Sequence, residues 1–221
     1  MYEGSRVLLK KNKKILLLIV ASMLAVIVLL SVIVGLLERR EEQNAVDPDA
    51  LEIQYPFYPA DFDLNIWEDE EYQQLLRGKF LHYCDSYTNV TVSLTKDTAG
   101  QHGEEVAFLV DYVYTIIEGD HKAYNACFSD RYYQNGKTPK DAFTMQQLHH
   151  IVLTKLSSEH VSENGVNYTK YLYAVEYQIH ENNGTFRKDI GDGTRTQYLE
   201  VTNRTGEWKI DVQTVVQSKV Q

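Results

Sequence analysis

The longest apolar run of the chain lies near its N-terminus. Residues Ile15–Leu37 carry no charged side chain and only two hydroxyl side chains. At about 1.5 Å per residue, a helix over this run is roughly 35 Å long and crosses a hydrocarbon core of about 30 Å with some tilt. A cleaved signal peptide has a shorter apolar stretch, of about 7 to 15 residues. The pattern therefore predicts a membrane-spanning helix, with lipid as its partner.

The charges beside this run predict its orientation. Five lysine or arginine residues lie in the predicted tail 1–14, whereas the two arginines after Leu37 are offset by three nearby glutamates. Because basic residues favour the cytoplasmic side, the tail is predicted to be cytoplasmic and everything after the span to lie outside. The predicted location is the cell membrane, with a single pass.

Residues 38–65 predict a linker, because they are charged and then contain three of the four prolines. Asn65 followed three residues later by Glu68 is typical of a helix N-cap with a capping-box acid. We therefore expect a helix over Trp67–Tyr83 and then a short alternating strand, which together form a leading segment over 66–103.

From Glu104 the apolar residues recur at spacings of three and four, which predicts a helix ending near Gly119. A second helix is predicted over Asp120–Phe128, with Gly119 at the C′ position of the first and Asp120 as N-cap of the second. A third is predicted over Pro139–His150.

The period then changes to two, which is typical of strands. Four antiparallel strands are predicted, over about 151–156, 171–180, 194–202 and 207–216. Helices grouped before strands predict an α+β domain over 104–217.

Two segments resemble the nuclear transport factor 2-like superfamily. They are IIEGDHKAYNACFSDRYY, at the end of the first long helix, and the closing hairpin YLEVTNRTGEWKIDVQTV. The resemblance covers Val106–Val216, about half of the chain, and implies a roll in which a curved antiparallel sheet wraps around a long helix. Because this fold hosts enzymes, binding modules and assembly proteins, the resemblance does not define an activity.

The order of tail, span and outer domain also looks like that of bacterial envelope proteins, including assembly subunits of conjugative secretion systems. The predicted function is therefore an anchored extracytoplasmic binding or assembly module, whose partners are envelope proteins or a second copy. The alternative is a small-ligand-binding protein or an enzyme that uses the cone-shaped pocket of the roll.

Composition supports a folded outer domain and disfavours nucleic acid. The hydrophobic content is 43%, and the net charge of −9 divides into +5 for residues 1–40 and −14 for the remainder. An acidic domain repels phosphate backbones. Cys84 and Cys127 fit neither a zinc framework nor a redox pair, which leaves two readings open: small buried side chains, or one disulfide in an oxidising compartment.

The resemblance implies that chemistry in this superfamily is placed inside the cone, where an Asp base, a His–Asp pair or a tyrosine donor acts. Five tyrosines are candidates for the lining of that pocket or, alternatively, for simple core packing: Tyr112, Tyr114, Tyr171, Tyr173 and Tyr177. No acid or histidine falls on the apolar face of the strand 171–180. No catalytic residue and no cofactor are predicted.

Other reactive groups have structural explanations. Asp120, close to His121 and Cys127, is better explained as a helix cap than as a base. His149 and His150 are adjacent and are expected to point in different directions, and His82 and Cys84 would face the same way only on a strand, so no metal site is predicted. Four Asn-x-Thr triplets are either glycosylation acceptors or ordinary turn sequences.

Overall fold

A computed structural model of the chain describes residues 45–46, 55–77 and 80–216. The predicted tail, the predicted span Ile15–Leu37 and most of the predicted linker lie outside these residues. Within the described part, no helix has the length and apolar character needed to cross a membrane. The described residues from Tyr55 onward belong to one unit, Val46–Gln221.

The helices of the described residues are short, with one exception. They are α1 (Glu70–Leu75), α2 (Lys96–Ala99), α3 (Glu104–Ile117), α4 (His121–Ala126) and α5 (Asp130–Gln134). Two 3-10 turns cover Ile66–Glu68 and Gly100–His102. The 14-residue α3 follows the predicted apolar stripe, which confirms that helix, whereas α5 was not predicted.

The predicted cap Asp120 begins α4, whereas the predicted cap Asn65 begins only the 3-10 turn Ile66–Glu68, and Asp69 is the N-cap of α1. The Asn65 side chain accepts a hydrogen bond from the Trp67 amide at 3.2 Å and donates to Glu68 at 2.8 Å. The Asp120 carboxylate accepts hydrogen bonds from two amides in the first turn of α4, at 3.1 and 2.9 Å. Both caps satisfy N–H groups that have no partner within the helix.

Gly119 allows the chain to turn sharply after α3. Its φ of +69° is costly for a residue with a Cβ, and a Cβ there would lie 2.8 Å from the backbone nitrogen of Met145. The next residue, Gln146, donates its amide to the Ile117 carbonyl at 3.1 Å. The glycine thus permits close contact between the end of α3 and the segment that enters the sheet.

The strands are β1 (Ala45–Val46), β2 (Leu81–Asp85), β3 (Val90–Ser93), β4 (Gln147–Glu163), β5 (Val166–His180), β6 (Gln197–Thr202) and β7 (Lys209–Val216). The six longer strands form one sheet in the order β7-β6-β5-β4-β2-β3. β2 and β4 pair in parallel, and the other pairs are antiparallel. The fold is therefore mixed α+β.

Two predicted helices are wrong. The helix over Trp67–Tyr83 ends at Leu75, and residues 81–85 form β2 instead. Residues 139–146 form no helix or strand, and β4 begins at Gln147. Leu81 on β2 pairs with Ile151 on β4 in a parallel ladder. Both strands gain backbone hydrogen bonds and burial from this pairing, and this gain outweighs the local preference for a helix.

The core lies between α3 and one face of the sheet. Apolar side chains from both elements have no solvent exposure: Val106, Leu109, Val113, Ile116, Leu153, Val175, Leu199 and Val201. Burial of each large aliphatic side chain stabilises the fold by about 1.5–3 kcal/mol before the loss of conformational entropy is subtracted.

Candidate functional site

The predicted tyrosines occupy two different environments. Tyr112, Tyr173 and Tyr177 have no solvent exposure, whereas Tyr114 and Tyr171 are half-buried. None of the five borders any of three cavities formed by the described residues. The proposal that they line a ligand pocket stays a prediction, and their common feature in the structure is dense packing.

The interior contains a carboxylate that the strand pattern did not reveal. Glu105, from the first turn of α3, is buried; its Oε1 lies 3.4 Å from the Tyr173 hydroxyl and 3.6 Å from Lys155 Nζ. Burial, with the nearby Glu105 charge, raises the pKa of Tyr173 well above its usual value, so the phenol remains a hydrogen-bond donor. These contacts indicate a satisfied polar group within the core.

A second buried network surrounds Tyr177. The guanidinium of Arg187 binds Asp189 through two nitrogens and donates to the Tyr177 hydroxyl at 3.1 Å, and that hydroxyl lies 3.4 Å from Gln197. The side chains of Arg187 and Asp189 are almost fully buried. A paired buried charge of this kind holds the loop between β5 and β6 against the sheet.

The two adjacent histidines come together, which corrects the expectation that they point apart. His149 Nδ1 and His150 Nδ1 are 2.6 Å apart, because His150 adopts a φ of +50° at a bulge in β4. The rings of His149 and His180 are 6.4 Å apart. Burial, and then the two neighbouring histidines, lowers the pKa of His149 to about 4.

In the part of the chain that the structure describes, these histidines belong to no metal-binding cluster. No group of three or more histidine, cysteine or acidic side chains within the described residues has the geometry to hold an ion. His82 and Cys84 do lie on a strand, β2, contrary to the helix that was predicted there.

Both cysteines are free thiols and half-buried. Cys127 Sγ contacts the Ala123 carbonyl at 3.4 Å, and burial raises the thiol pKa to about 11. A thiol in this state is protonated at neutral pH and is a weak nucleophile. Because Asp120 is engaged as a cap, the Asp-His-Cys sequence around α4 is structural.

The largest of the three cavities lies on the outside of the domain. We call it the loop groove; its volume is about 930 Å³ and it is open to solvent. One wall is the segment Tyr55–Pro59, and the other is the loop 190–196 with Tyr198 on β6. Cavities of about 300–1,000 Å³ are the size in which proteins bind small ligands.

Fixed contacts hold the two walls of the loop groove together. The Tyr58 amide donates to the Asn182 carbonyl at 3.1 Å, and the Asn182 amide donates to Asp192 Oδ1 at 3.1 Å. The rings of Tyr55 and Phe57 rest on glycine backbone, since a Cβ at Gly191 or Gly184 would lie 3.2 or 2.9 Å from them. The groove is therefore formed before any ligand binds.

Each wall of the loop groove has a distinctive sequence, but neither sequence alone indicates a site. YPFYP contains only aromatic and proline residues, and Gly-Asp-Gly-Thr occurs in the opposite wall. Their contact links positions more than 130 residues apart along the chain, which one sequence does not reveal.

No protein-family model, curated protein or solved structure matches this chain. The described unit is therefore defined by its own architecture: a mixed α+β domain with a six-stranded sheet, a filled interior and an open groove on one side.

Proposed function

We propose that the chain is a single-pass, membrane-anchored binding or assembly module of the cell envelope, with its folded domain outside the cell. The apolar run Ile15–Leu37, with the basic residues before it, supports the anchor and the orientation. The two segments quoted above support a roll resembling nuclear transport factor 2-like domains. Envelope proteins or a second copy of the chain would be the partners.

The packed interior is the observation that favours a binding role over catalysis. Tyr112, Tyr173 and Tyr177 occupy the space between helix and sheet in which a catalytic pocket of such a roll would lie, and all three are fully buried. The buried carboxylate of Glu105 contacts a tyrosine and a lysine, and no cavity adjoins it among the three described. The accessible binding surface is then the outside of the domain.

The alternative is an enzyme or small-ligand binder that uses the interior. It requires open volume beside a polar group, and the packing around α3 leaves those groups surrounded by side chains. The Asp120, His121 and Cys127 sequence gives this alternative no support, since Asp120 caps α4 and Cys127 holds a raised pKa.

Fractionation and crosslinking test this proposal. We expect the full-length chain to stay with the membrane fraction until detergent is added. A photocrosslinking side chain at Tyr58, in the loop groove, should give discrete adducts with envelope components in intact cells. The same side chain in the predicted cytoplasmic tail, at Ser5, serves as the control. The proposal would be contradicted if the chain were soluble without detergent and formed no adducts outside the cell.

A further inference from the structure

The loop groove presents several polar groups that the protein itself does not use. The hydroxyls of Tyr55, Tyr58, Tyr198 and Thr194 make no hydrogen bond within the described residues, and neither does the second carboxylate oxygen of Asp192. Tyr55 and Tyr58 are 37% and 44% exposed, so their rings are available to a ligand. Phenols both donate and accept, whereas a carboxylate oxygen accepts only.

The charges of the groove balance. Asp192 is its acid and Arg195 its base. Arg195 also lies 3.9 Å from the buried Asp189, so the charge of its guanidinium is already partly compensated within the protein. A site for phosphate or another strong anion would present an excess of cations or several converging N–H groups. The lining instead suits a ligand without net charge.

Aromatic rings and uncharged hydrogen-bonding groups together favour a carbohydrate. A sugar ring has an apolar face of C–H bonds, which packs against the electron-rich face of an aromatic ring. Its hydroxyls form a girdle of donors and acceptors, which matches the unused phenols, threonine and carboxylate. A purely apolar ligand would leave these polar groups unpaired on binding, at a cost in free energy.

We propose that the loop groove binds a neutral β-1,4-linked oligosaccharide of the cell envelope. Such a chain is extended and exposes its C–H faces alternately, so it can contact Tyr58 on one wall and Tyr198 on the other. Because the groove is open to solvent, a polymer can occupy it and extend beyond it. This inference rests on the proposed role as an extracytoplasmic binding module and specifies its partner.

The test is a calorimetric titration of the full chain in a detergent without a sugar headgroup. The probes are chitohexaose and cellohexaose, with the α-linked maltohexaose as a control for linkage. We expect one binding site for a β-linked probe. Tyr58→Ala removes the ring but keeps the backbone hydrogen bond to Asn182, and it should weaken binding by about tenfold or more.

Matched variants separate ring contact from folding. Tyr87→Ala removes a tyrosine that is 68% exposed and lies outside the groove, so binding should be unchanged. Tyr198→Phe keeps the ring and removes the hydroxyl, and it should retain more affinity than Tyr198→Ala. Thermal unfolding of each variant shows whether the fold is intact.

The inference would be overturned if no β-linked probe bound at millimolar concentration. It would also be overturned if Tyr58→Ala bound the probe as tightly as the native chain does. A third contrary result would be a proline-rich peptide that binds in the groove while the oligosaccharides do not. In the last case the groove serves a protein partner. Crosslinks from Tyr58 to envelope proteins would then leave the proposed function standing while the carbohydrate assignment fails.

Discussion

Gly119 turns the chain between α3 and α4 with a φ of +69° and lies against the backbone of Met145. Replacement by alanine adds both the cost of a left-handed backbone and a steric contact at 2.8 Å. We expect Gly119→Ala to lower the free energy of unfolding by about 2–4 kcal/mol. Thermal or denaturant unfolding of the full chain in detergent measures this change.

Gly136 provides the matched control, because its φ is +84° but a Cβ there meets nothing within 4 Å. Gly136→Ala should therefore lose only the backbone contribution, about 1–2 kcal/mol. Equal losses at the two positions would show that the contact with Met145 has no energetic role.

The histidine pair predicts a dependence of stability on pH. His149 has a pKa of about 4 in the folded chain, against an ordinary value of 6.5, because burial and the nearby His150 and His180 disfavour its charge, while Asp192 favours it only weakly. The unfolded chain therefore binds more protons, so the contribution of His149 is complete above pH 6.5 and is lost as the pH falls towards 4. The loss is at most about 3 kcal/mol.

Unfolding measured between pH 7 and pH 4 tests this prediction. His149→Gln should flatten the profile in that window, whereas His121→Gln, on the first turn of α4, should leave its slope unchanged. A variant profile parallel to that of the native chain would assign the pH dependence to other groups.

Some side-chain contacts can be predicted from short sequence patterns, and others cannot. The caps at Asn65 and Asp120 follow from short sequence patterns, because a cap and its partners lie within three residues. The contact between His149 and His150 depends on a bulge and a positive φ, which side-chain periodicity does not encode.

At the level of elements, α3 depends on its buried side for stability. Tyr112 is fully buried, and its ring packs against Tyr124 with centroids 5.5 Å apart. We expect Tyr112→Ala to destabilise the domain by about 3–5 kcal/mol, the cost of emptying a large aromatic site in a core. Tyr87→Ala, at an exposed turn, should change stability by less than about 0.5 kcal/mol. Denaturant unfolding distinguishes the two.

A small effect of Tyr112→Ala would contradict the filled interior. It would mean that the space around α3 tolerates a missing ring, and the alternative of an open ligand pocket would regain support.

Elements with a long periodic pattern were predictable, and those set by distant partners were not. The stripe of α3 and the hairpin of β6 and β7 follow from periods of 3.6 and 2. β2 forms because it pairs with β4, about 70 residues away. Asn164 and Gly165, both with a positive φ, form the tight turn after β4, and such an Asn-Gly pair is typical of a hairpin in which β4 continues to Glu163.

For the whole molecule, we propose a membrane anchor at Ile15–Leu37 in addition to the folded domain that the structure describes. The domain has no open interior site among its described cavities, and its largest cavity lies between two surface segments. The loop groove could not be located from the sequence, since neither YPFYP nor the loop 190–196 forms a site alone.

We propose that the chain is anchored with the domain outside the cell. Labelling of intact cells with a membrane-impermeant maleimide tests this topology, in a background where Cys84 and Cys127 are replaced by alanine. The exposed position of Tyr87 reports on the domain through Tyr87→Cys, and Ser5→Cys reports on the predicted tail. We predict labelling at position 87 in intact cells and at position 5 only after permeabilisation. Labelling at position 87 that also requires permeabilisation would contradict the account.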